Sequence, residues 1–123
     1  MLKLQCTGSL ATWCDRVTTT RPSWNGHNAS GWRADLLAVN GFDERMEWGA
    51  EDRELGERLV NSGVSPHQIR HRAVCVHLDH DRGYVRADAV ARNRQIWMET
   101  KRTGASWTPH GLRKEIVARP HAA

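Results

Sequence analysis

Residues 40–59, NGFDERMEWGAEDRELGERL, decide how the rest of the chain is read. Asn40-Gly41 is a turn signal. Gly49 lets the backbone turn tightly after Trp48, and Glu51-Asp52 follow at once. Acidic residues in a first turn suit the positive end of a helix dipole, so a helix begins here. Leu55 and Leu59 lie four apart on one face of it, and Gly63 supplies the stop. At helical spacing Asp52 heads the same stripe, while Glu51 is rotated about 100° away. A carboxylate at the rim of a core is placed to accept a proton from a bound hydroxyl. The plainer alternative is that both acids only stabilise the helix start. Gly56, inside the helix, costs about 1 kcal/mol relative to Ala and so points to close backbone packing.

Outward from this stretch, RADLLAVN (33–40) reads as a short helix ending at the Asn-Gly turn. Residues 1 to 30 show no sustained period and read as loops with at most one short strand. IRHRAVCVHL (69–78) reads as a strand whose end is apolar on both faces, as in a mixed sheet. Residues 86 to 102 have helical composition, with Val90, Ile96 and Trp97 inward. Beyond Gly104 the chain is polar, carries Pro109, Gly111 and Pro120, and is expected to fray at its end. The order is that of an incomplete α/β arrangement. One strand cannot satisfy its own backbone groups, so its partners must come from elsewhere.

The 123 residues are 39% hydrophobic and 26% charged. That is a lean composition for a single domain or part of one. The net charge is +4 with dispersed basic residues, most of which read as a solvated face. A clustered basic stripe is missing, which disfavours a nucleic-acid-binding protein. Three cysteines without a CxxC argue against a disulfide framework and for a reducing, cytoplasmic setting. No apolar run approaches the length of a membrane span, although peripheral membrane association stays open.

VCVHLDHDRG (74–83) places His77, Asp79, His80 and Asp81 within five residues. Imidazole and carboxylate both bind Mn²⁺ or Zn²⁺. In an extended strand His77 and His80 point to opposite faces, so both reach one ion only if the chain bends after Leu78. An incidental polar loop is the alternative, and a closed zinc site lacks a Cys pair.

The run GHNASGWRADLLAVNGFDERMEWGAEDRELGERLVNSG (26–63) resembles the C-terminal catalytic segment of β-1,4-galactosyltransferases and of many bacterial family-two glycosyltransferases. The shared elements, in order, are a small-residue loop, a short helix, Asn40-Gly41-Phe42, Trp48-Gly49-Ala50-Glu51-Asp52, and Arg58-Leu59 before Gly63. The resemblance implies a partial GT-A fold, α/β in class, that lacks the Rossmann-like donor-binding half. Residues 1–25 are then an irregular remnant of the preceding fold, 26–103 the galactosyltransferase-like segment and 104–123 a polar tail.

It further implies transfer of a sugar from a nucleotide-diphosphate donor to a glycan acceptor, with inversion. Asp52 would be the general base, with Glu51 and Trp48 binding the acceptor. His77, or else His80, would help hold Mn²⁺ or another divalent cation. The D-x-D motif that supplies the other ligand is not found upstream, where the first acid is Asp15. The chain alone is therefore expected to be inactive, being either a truncated product or fragment or one that a separate donor-binding polypeptide complements. The competing expectation is a non-catalytic carbohydrate-binding or assembly remnant of such an enzyme.

Overall fold

The computed structural model describes residues 7–76, 78 and 85–114. Its regular structure is helical: α1 (Gly8–Val17), α2 (Arg33–Ala38), α3 (Glu51–Asn61) and α4 (Ala87–Thr103). Helices α3 and α4 pack together. The apolar core is small, with Val39, Leu55 and Leu59 at its centre and Trp24, Leu36 and Val64 packed against it.

So small a core is completed by a buried polar network. Glu54 and Arg58 stand one turn apart on α3, both buried, and pair through two bonds of 2.8 Å, the strong two-pronged geometry of guanidinium and carboxylate. Arg58 also donates to the Val39 carbonyl at the end of α2, and Thr100 on α4 donates to Glu54 at 2.9 Å. One ion pair thus joins three elements. Arg58 is thus an exception to the solvated face expected of most basic residues, because it finds its partners at the centre.

The α/β expectation is not met among the described residues, where the only pairing of extended backbone outside the helices is an isolated bridge between His110 and Lys114. In the stretch read as a strand, the Ile69 carbonyl accepts from the amides of Arg72 and Ala73, which is a turn. Beyond it Val76 and Leu78 are 70% and 79% exposed. The apolar pattern is present, but among the described residues no second strand lies beside it to take up its backbone groups.

Residues 8–17, expected to be irregular, form α1. Ala11 and Asp15, four apart, are buried on one side, and Leu10, Trp13 and Val17 are exposed on the other. The Asp15 carboxylate holds this helix by accepting from the His71 amide at 2.8 Å and from Arg72 Nε at 2.8 Å, with the His71 ring at 3.0 Å. Those partners are 56 and 57 residues away in sequence. On α4 the inward face centres on Ala89, Asn93 and Thr100, and Val90, Ile96 and Trp97 flank it, Ile96 and Trp97 half-buried.

Residues 105–114 are anchored to the Asn-Gly turn. Asn40 adopts φ +70° and donates to the carbonyls of Thr108 and Arg113 at 2.7 and 2.9 Å. Its side-chain oxygen accepts from the Arg113 amide at 2.8 Å, and its carbonyl from the Leu112 amide at 3.0 Å. Gly111 lies so close that a Cβ there would overlap the Asn40 carbonyl. Asn40 is therefore a clamp as well as a turn residue. As far as residue 114 this stretch is a built part of the fold.

Candidate functional site

The Trp48-Gly49-Ala50-Glu51-Asp52 turn is gripped from two sides. Gly49 has φ +108° and Ala50 φ +69°, so two successive residues take left-handed backbone. For Ala50 that costs about 1–2 kcal/mol. The conformation is held by Asn93 of α4, which donates to the Glu47 carbonyl at 2.9 Å and, more weakly, to the Trp48 carbonyl at 3.4 Å. Val90 of α4 closes over Gly49, where an added Cβ would come within 3.1 Å of it.

Out of this turn α3 begins. The Glu51 carboxylate folds back and accepts from the Gly49 amide, which closes the turn. Asp52 is half-buried. Its Oδ1 accepts from the Arg53 amide at 2.7 Å, and its Oδ2 from the Gly26 amide at 3.1 Å. The small-residue loop is thereby brought against the head of α3, with Gly26 packed against Asp52. A carboxylate offers about four acceptor positions, so two amide donors leave capacity for an incoming hydroxyl.

Trp48 is 40% exposed, which excludes a fully buried core role for its ring. The structure therefore brings Trp48, Glu51 and Asp52 onto one turn held by α4. It also gives both acids the helix-start bonds that the plainer reading expects. His77 and His80 lie outside the described residues, as do Asp79 and Asp81. Among the described residues no group of three or more His, Cys, Asp or Glu side chains could hold a metal ion.

Beside α3 opens a cleft of about 570 Å³. Its walls include the indoles of Trp24, Trp32 and Trp97, and Arg53 and Gly56 from α3. Asp52, Glu51 and Trp48 are not in these walls, although Arg53 is the direct neighbour of Asp52. Gly56 explains the close packing expected there: a Cβ would lie 2.7 Å from Trp24 Cβ and 3.0 Å from its backbone nitrogen. Sequence reasoning missed this cleft. Its one sequence signal is the surplus of tryptophan, six against one Phe and one Tyr.

A second hollow, about 410 Å³, lies between the 43–45 turn, α4 and residues 105–109. Asp43 sits at its edge. Burial would raise its pKa, but hydrogen bonds from Arg45 and Thr108, with the Arg45 charge, outweigh that and hold it at about 2.

No helix among the described residues is long and apolar enough to cross a membrane. A sequence profile of the family described as the N-terminal domain of galactosyltransferase matches residues 19–81. No curated protein and no solved structure gives a significant match. The matched stretch takes in the Gly26 loop, α2, the 48–52 turn and α3.

Proposed function

The chain belongs to the galactosyltransferase family, matched over residues 19–81, and we propose that it is the acceptor-side part of a glycosyltransferase in which Asp52 is the general base. The observation that carries this reading is the head of α3. A half-buried carboxylate there accepts from the amide of the small-residue loop, with a partly exposed tryptophan four residues before it in sequence and with acceptor capacity left over. In the proposed step Asp52 takes the proton of the acceptor hydroxyl. That oxygen bonds to the anomeric carbon of the donor as the bond from that carbon to the nucleotide diphosphate breaks, with inversion.

Fixed amide donors keep the Asp52 oxygens in place, so little reorganisation is needed when the proton arrives. Trp48 offers a ring face to a sugar, and Glu51 offers a second carboxylate to its hydroxyls. The same reading places Mn²⁺ at His77 or His80, where it would supply Lewis-acid neutralisation of the leaving diphosphate. A GT-A α/β fold completed by a donor-binding polypeptide belongs to this proposal as well.

The test is transfer of a radiolabelled sugar, with Mn²⁺ and the donor-binding part that completes the enzyme, from a panel of nucleotide-diphosphate sugars to oligosaccharide acceptors. Asp52→Asn is expected to lower transfer at least about 100-fold with the circular dichroism spectrum unchanged. Near-normal transfer by that variant rules out the base. A second reading, a carbohydrate-binding segment without catalysis, is favoured by the engagement of both Asp52 oxygens and by their place outside the cleft wall. It predicts no transfer by the wild-type chain with any donor, even when the donor-binding part is supplied.

A further inference from the structure

The cleft beside α3 has no role in the chemistry just described, yet it has the construction of a ligand site. Its volume is about 570 Å³. A hollow of that size is ordinary for a small-molecule site. Three indoles contribute to its walls, and they are held differently. Trp24 is fixed between Gly56 and Gly31, with its ring edge where a Gly31 Cβ would come within 3.0 Å. Trp97 is half-buried on α4, with the Arg53 guanidinium 5.7 Å from its ring centroid. Trp32 is 81% exposed at the N-cap of α2. A ring left that open at the edge of a cleft is a flat apolar platform facing water.

The polar groups between the rings narrow the ligand class. Arg21, Arg53 and Lys101 can donate, and Asp35 and Glu57 can accept, all from the same walls. For a diphosphate the two carboxylates would offset much of the attraction of those three cations. Hydroxyl groups donate and accept at once, and so suit both kinds of wall. The indole N–H of Trp97 adds a second observation: it is buried and has no hydrogen-bond partner. An unpaired buried donor is destabilising, and an acceptor oxygen reaching it from the cleft would relieve that.

We propose that this cleft is a binding site for a neutral oligosaccharide, which stacks on Trp32 and is held by Trp97 and the mixed polar walls. Calling it a subsite for the extended acceptor glycan rests on the transferase reading above; the binding itself does not. Arg53 then joins the two places, since its guanidinium lies over Trp97 at the cleft and its amide holds the Asp52 carboxylate.

Isothermal titration of the full chain with cellobiose, lactose and maltose, and separately with UDP, tests this without any donor sugar present. Saturable binding of at least one disaccharide is expected, and UDP should not displace it. Trp32→Ala, at a surface position, should weaken it about tenfold, or about 1.4 kcal/mol. Trp97→Phe keeps a ring and removes the N–H, and should weaken it by a smaller factor. The proposal is overturned if none of the three sugars binds, if Trp32→Ala binds as well as wild type, or if UDP competes for the cleft. Loss of the cleft with Asp52-dependent transfer intact would leave the base assignment standing. Sugar binding alongside transfer indifferent to Asp52→Asn would do the reverse.

Discussion

The head of α3 and the α1 region are built to different standards. Around α3 the buried charged groups answer one another: Glu54 meets Arg58 and Thr100, Arg58 meets Val39, and Asn93 holds the turn that precedes the helix. At α1, one carboxylate, Asp15, makes the tie to residues 71 and 72, while Leu10, Trp13 and Val17 face outward. A network with several members fixes geometry, whereas a single anion fixes only attachment. The more exact construction is where the candidate base sits, and positional accuracy is what proton transfer requires.

The largest test of this contrast is Arg58→Leu. It leaves the buried Glu54 carboxylate without its counter-charge and should cost about 3–5 kcal/mol, read as a fall in the urea midpoint of the whole chain. Replacing Glu54 and Arg58 together by methionine should cost much less, since an apolar pair leaves no orphaned charge. Equal losses in the two variants would mean that the pair contributes shape alone.

Asp15→Asn should act locally. It removes the charge from the bonds to Arg72 and His71, worth about 1.5–3 kcal/mol, and hydrogen exchange should speed up in α1 amides while α3 and α4 keep their protection. Uniform loss of protection across all four helices would erase the distinction between the regions.

The smallest effect is expected from acid. The folded-state pKa of Asp43 is depressed to about 2 from an ordinary 3.8, so its contribution is fully present above the ordinary value. It is lost as pH falls from that value toward the folded one. Asp15 is shifted in the same direction: burial opposes the shift, but the hydrogen bonds from His71 and Arg72 and the Arg72 charge prevail. A thermal midpoint that is flat near neutrality and falls only once the ordinary carboxylate range is passed is the expected profile, with Asp43→Asn flattening the acid limb.

Much of α2, α3 and α4 was legible because their signals are local. Asn40-Gly41, Glu51-Asp52, the Leu55–Leu59 spacing and Gly63 each act within a few residues of where they stand. The packing at Gly56 was legible too, since a glycine inside a helix requires a reason. What escaped was decided at long range. Asp15 reads as an ordinary surface acid until His71 and Arg72 are placed beside it. Arg58 belonged to a recognised motif, but only the Val39 carbonyl and Glu54 explain its burial. The strand expected at 69–78 had the right apolar pattern, but among the described residues no second strand lies beside it, which no pattern within the segment can report. Of the candidate site, the 48–52 turn was visible in sequence; the Gly26 amide on Asp52 and the tryptophan cleft depend on a loop returning over α3.

The clamp at Asn40 carries a consequence for how the chain matures. Its side chain donates to carbonyls 68 and 73 positions further on, and its own oxygen takes up the Arg113 amide. During synthesis, therefore, α2 and α3 emerge with this socket empty, and it closes only when residues 108–113 leave the ribosome. A later turn thus secures an earlier one.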